Sequence, residues 1–113
     1  MSNTIKSEIK FNVELDENRI PEKLTWTAQD GGVEQEEAKA LMLSIWDSNA
    51  QETLRIDLWT KEMMVDEMAD FYYQTLMTMA DTFDRATHQT ELVGEMKTFA
   101  KNFYTKFKKS QEQ

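Results

Sequence analysis

The chain has no cysteine, one histidine, one proline and three glycines among its 113 residues. Without cysteine there is no disulfide framework, no thiolate nucleophile and no Cys-ligated zinc or iron–sulfur centre. A single histidine removes metal sites and proton relays that need several imidazoles within one chain. Positive charge is also short: 13 Lys and Arg against 21 Asp and Glu leave a formal net charge of −8. Such a surface repels phosphate backbones and anionic lipid headgroups, which sets nucleic acids and membrane surfaces aside as partners. No apolar run approaches the ~18 residues of a membrane-spanning helix. The opening MSNTIKSEIKFNVELDEN also lacks the apolar stretch of a secretory signal. The expectation is a soluble, cytoplasmic protein.

What is present is enough for one core. The chain is 40% hydrophobic and 11% aromatic, well above the composition of disordered segments, and its length suits one domain spanning residues 1–113. No repeat, low-complexity tract or Pro/Gly/Ser-rich linker interrupts it.

Two periodicities divide the chain. Ile5, Ile9, Phe11, Val13 and Leu15 fall on odd positions with Lys6, Glu8, Lys10, Asn12 and Glu14 between them, the pattern of a strand with one wet face. Turn residues fill 16–21, and Leu24, Trp26 and Ala28 then alternate with Thr25 and Thr27 before the Asp30-Gly31-Gly32 break, predicting a second one-sided strand. Residues 38–60 are apolar on both parities. Paired as a hairpin with Ile45 opposite Leu54, Leu43 opposite Ile56 and Leu41 opposite Leu58, they make one wholly aliphatic face. The other face then carries Ala40, Met42, Trp46 and Trp59 with Ser44, Arg55 and Asp57. The competing reading makes 34–47 a helix, because Ala38, Leu41, Met42 and Ile45 also fit a helical period behind three glutamates.

From Val65 the period becomes helical. Val65, Met68, Tyr72, Leu76, Met79 and Phe83 step by three or four to about Ala86, and after a break at 87–89 Leu92, Met96, Phe99, Phe103 and Phe107 mark a second helix. The predicted fold is α+β: an antiparallel sheet of two β-hairpins followed by two long antiparallel helices packed on one of its faces. The alternative order has 34–47 helical. Charge separates along the helices: residues 62–95 sum to −7, whereas 97–109 sum to +5. Lysines complement a helix C-terminus, which accounts for the basic end without an anionic partner.

The motifs that carry chemistry are missing. There is no GxxxxGK[ST], GxGxxG, GxSxG or HExxH. His88 lies at the break between the helices and reads as a surface or capping residue. Asp66 with Asp70 and Asp81 with Asp84 stand about one helical turn apart, which leaves a divalent-cation or small-ligand site on the acidic helix as the alternative function. Asp47-Ser48-Asn49-Ala50-Gln51 resembles the start of a calcium loop but lacks its glycine and terminal carboxylate. No cofactor, metal centre or catalytic residue is predicted, and the chain reads as a non-enzyme.

Methionine is the informative excess. Five of the eight methionines fall within residues 63–79, and methionine suits surfaces that accept varied apolar partners. Met64 and Met77 lie off the main helical stripe, near Phe71 and Tyr73. Met42, Trp46, Trp59, Met64, Phe71, Tyr73 and Met77 are therefore the candidate surface for a protein partner or a homo-oligomer, with gap-filling in the core as the competing role.

The runs SEIKFNVELDENRIPEKLTWTAQDGG, EEAKALMLSIWD, ETLRIDLWTKEM and VDEM, followed by QTL, DTFDRAT and MKTFAKNF, resemble the gliding motility protein GldC family over nearly the whole chain. Where that family usually has proline before Val-Asp-Glu-Met, this chain has Met64, which bears on how sharply the helix begins. The resemblance implies a small accessory component of bacterial gliding motility, associated with secretion machinery, and it brings no catalytic residues. The ββββαα layout on an acidic chain is also similar, by architecture alone, to SecB-type export chaperones, which suggests chaperone-like holding of a motility or secretion component.

Overall fold

The computed structural model describes residues 3–112, and the chain divides into two compact units, one ending at Met63 and one beginning at Met64. The first holds five strands: β1 (Ile9–Leu15), β2 (Pro21–Ala28), β3 (Val33–Ala38), β4 (Ala40–Asp47) and β5 (Glu52–Trp59). They form two antiparallel sheets, β1-β2-β3 and β4-β5. The second holds α1 (Val65–Thr87) and α2 (Thr90–Ser110). The fold is α+β, strands followed by two helices.

Alternation decides the first sheet. Phe11 faces Trp26, Val13 faces Leu24 and Ile9 faces Ala28, so the apolar parity of both strands lies on one side, while Glu14 opposite Lys23 sits on the other. Asp16 builds the connecting turn: its Oδ1 accepts the N–H groups of Asn18 (2.8 Å) and Ile20 (3.0 Å). Its Oδ2 receives Lys61 Nζ at 2.5 Å. This pairing holds the Asp16 carboxyl below its ordinary pKa and the Lys61 ammonium above its own.

Residues 34–47 are not helical. Glu34–Ala38 belong to a fifth strand that the pattern did not reveal, and two sheets stand where one was expected. The strand VEQEEA is polar on both parities, so its extended form comes from pairing with β2, Leu24 to Ala38 and Trp26 to Glu36. A bulge interrupts that pairing. Gln35 takes φ 47°, in the left-handed region, and its N–H donates to Thr27 Oγ1 at 3.0 Å.

The second hairpin has the expected register: Leu41 faces Leu58, Leu43 faces Ile56 and Ile45 faces Leu54. Its turn is held by Asp47 Oδ1, which accepts the N–H groups of Asn49 (3.0 Å) and Ala50 (3.3 Å). At the open end, the N–H of buried Thr60 donates to the Lys39 carbonyl at 2.8 Å.

α1 starts at Val65 without a side-chain oxygen at its N-cap. Met64 cannot accept a hydrogen bond from the first turn in the way Ser or Asp would. The reciprocal half of a capping box is in place, with the Met64 N–H donating to Glu67 Oε1 at 3.1 Å. His88 ends the helix in the left-handed conformation, φ 56°, with its N–H donating to the Asp84 carbonyl at 2.8 Å. α1 and α2 then run antiparallel, and their buried residues are Ala69, Ala80, Val93 and Ala100. Small side chains let the two backbones approach closely. Tyr73 stacks on Tyr104 beside them, ring centroids 4.7 Å apart.

Candidate interaction surface

No large side chain among the described residues is fully buried. Apolar mass instead lies in half-covered layers, most clearly on the β4–β5 hairpin. On its aliphatic face Ile45, Leu54 and Ile56 are each about half exposed. On the opposite face Trp46 is 62% exposed and Trp59 56%. The register puts Trp59 beside Ala40 at one end and Trp46 beside Thr53 at the other. Half-buried Met42 and exposed Ser44, Arg55 and Asp57 lie between them, with the Arg55 guanidinium reaching Asp57 through Nη2–Oδ1 (2.6 Å) and Nε–Oδ2 (3.4 Å). The aromatic face is therefore split by an ion pair, and the more continuous apolar surface is the aliphatic one.

The candidate residues on α1 lie in the second unit. Met64 is exposed at the helix start. Phe71, Tyr73 and Met77 are only half-buried, and Tyr73 is already engaged by Tyr104. The apolar stripes of the two helices are only partly covered, with Tyr72 meeting Phe103 across the pair at 6.5 Å between ring centroids. Tyr72, Met79, Leu92 and Phe99 are exposed, and Leu76, Phe83, Leu92, Met96 and Phe99 line an open groove of about 440 Å³ with Glu95 at its edge. The residues buried deepest in the helix pair are Val93 and three alanines, Ala69, Ala80 and Ala100, which carry little weight in a search for large apolar residues.

The charged residues pair locally. Lys97 Nζ meets Asp81 Oδ1 at 2.8 Å, and that hydrogen bond raises the lysine pKa, with Asp84 adding to it. Lys108 lies over the Tyr104 ring, 5.1 Å from its centroid. Its pKa is raised by Tyr104 first and then by Asp70 and Asp66. The antiparallel turn thus brings the basic end of α2 alongside the acidic start of α1. Among the described residues no group of three or more His, Asp or Glu side chains is placed to hold a metal ion. A cleft of about 240 Å³ between β2, β3 and Thr60 is lined by Glu22, Lys23, Glu37, Lys39 and Glu62, charges of both signs with no nucleophile–base pair. No described helix is long and apolar enough to cross a membrane.

The model of the gliding motility-associated GldC-like family matches residues 21–109. The chain belongs to that family. The match takes in β2 to β5 and both helices of this GldC-like chain, and so both units that carry its exposed apolar faces. Comparison with curated proteins and with solved structures returns no match.

Proposed function

We propose that this GldC-like protein is a cytoplasmic, non-enzymatic accessory factor of gliding motility that works by binding protein, holding a motility or secretion component in a chaperone-like manner. One observation carries the reading: the β4–β5 hairpin presents apolar side chains on both faces, and both are open to solvent. Contiguous exposed apolar surface of this kind marks interaction sites on soluble proteins. The neighbouring ion pair and Ser44 supply the polar component that orients a partner. The test is the W46E/W59E variant. Wild-type protein is expected to capture a motility or secretion component from native lysate and to slow aggregation of a urea-unfolded client. The variant, with an unchanged circular dichroism spectrum, should do neither. A folded variant that captures and holds as well as wild type would remove the aromatic face of the hairpin from the mechanism.

A further inference from the structure

Among the described residues β5 pairs with β4 alone, and its outer edge meets no other strand. Exposed edges are normally blunted by proline, lysine, bulges or covering elements, because an unpaired row of N–H and C=O groups templates another strand. The other edges of this unit have such protection. β1 carries Lys10 and a register shift at Glu14/Leu15, β3 carries three glutamates and the Gln35 kink, and β4 is half covered from Ala40 to Leu43. β5 has no proline, glycine, lysine or bulge, its register is unbroken over eight pairs and only Leu58 is partly covered, so its three charges, Glu52, Arg55 and Asp57, are its sole protection.

The sequence of this edge is complementary to itself. An antiparallel second copy centred on Ile56 sets Ile56 against its own counterpart and Leu54 against Leu58. It also sets Arg55 against Asp57, twice over by symmetry. Centring on Arg55 or on Asp57 would oppose like charges, and a half-step slip would set the aliphatic face of one copy beside the polar face of the other. Net charge opposes association of two copies at −8 each, yet the centre of this seam, residues 54–58, carries one charge of each sign per copy. We propose that two copies of this chain join along β5, antiparallel and centred on Ile56, into a four-stranded β4-β5-β5-β4 sheet. A two-stranded hairpin is marginal alone, and four strands are not. The two-fold axis places both aliphatic faces on one side and Trp46 and Trp59 of both copies on the other. This goes beyond the partner-binding reading and stands or falls without it.

Sedimentation equilibrium tests it. Wild-type protein should weigh about 26.6 kDa, twice the 13.3 kDa chain. R55D and D57R each oppose like charges across the seam and should weaken dimerisation about tenfold to a hundredfold. An equimolar mixture of R55D and D57R should dimerise again, as should the charge-swapped R55D/D57R double variant, which keeps the test open if either single variant folds poorly. W46E, altered on β4 away from the seam, should keep the dimer mass even where partner capture is lost. A wild-type mass of 13.3 kDa at the highest soluble concentration overturns the proposal. So does a dimer indifferent to R55D and D57R, a mixture that stays monomeric, or a monomeric W46E.

Discussion

Leu24 is the residue on which the strand unit most depends. It is 4% exposed, faces Val13 on β1 and Ala38 on β3, and among the described residues is the one large apolar side chain of that unit nearly removed from solvent. Leu24→Ala deletes three carbons, about 2.4 kcal/mol of transfer free energy at ~0.8 kcal/mol per carbon. The cavity left behind brings the loss to roughly 3–4 kcal/mol. Val13, directly opposite, is 38% exposed, so the two carbons lost in Val13→Ala should cost only about 1 kcal/mol. Urea unfolding followed by tryptophan fluorescence reads the difference, since Trp26 lies two residues along β2 opposite Phe11. The midpoint should fall with an unchanged slope, and the thermal midpoint should drop by on the order of 10–25 °C for Leu24→Ala. If Leu24→Ala costs no more than Val13→Ala, Leu24 is not the centre of this unit and the burial argument fails.

Two further outcomes follow from the local contacts. The Asp16 carboxyl is depressed chiefly by Lys61, so the stability it contributes is present above the unfolded carboxylate value and lost as pH falls through its lower folded value, below about pH 4. Lys61, raised chiefly by Asp16, contributes below its unfolded value and loses that contribution as pH rises through its higher folded one. K61M should therefore flatten the acid limb of a urea-midpoint-against-pH curve, and an unchanged limb would show that the contact is absent in solution. At the start of α1, Met64→Ser supplies the missing N-cap oxygen and should add about 0.5–1 kcal/mol, seen as a raised helix melting temperature by circular dichroism. A lowered one would mean that the Met64 side chain matters more than the cap.

The register of the second hairpin was legible from setting Leu41, Leu43 and Ile45 opposite Leu58, Ile56 and Leu54 across the polar turn at Asp47, although residues 40–46 are apolar on both parities and also fit a helical period. β3 was not. Val33–Ala38 has no apolar alternation, and its strand form is imposed by β2 and by the Gln35 bulge, a tertiary cause with no local signal. Helix bounds were readable from the period and from the break at Thr87–Gln89. The deepest part of the contact between α1 and α2 was not, because Ala69, Ala80 and Ala100 are small. Trp46 and Trp59 were singled out because their parity opposes the aliphatic one, and both are exposed. Nothing in the pattern distinguished Ile45, Leu54 and Ile56 from core residues, because an uncovered aliphatic face and a buried one are written alike.

The absence of a fully buried large side chain changes what stability means for this protein. Whatever covers the half-exposed layers binds the folded chain and not the unfolded one, so it raises folding stability by RT ln(1 + [L]/Kd). Folding and recognition then share one reservoir of apolar surface. A substitution that weakens an interface should lower the steady-state amount of the protein before any loss of activity is measured, because unpartnered chains spend more time open to proteolysis. Abundance becomes a readout of assembly.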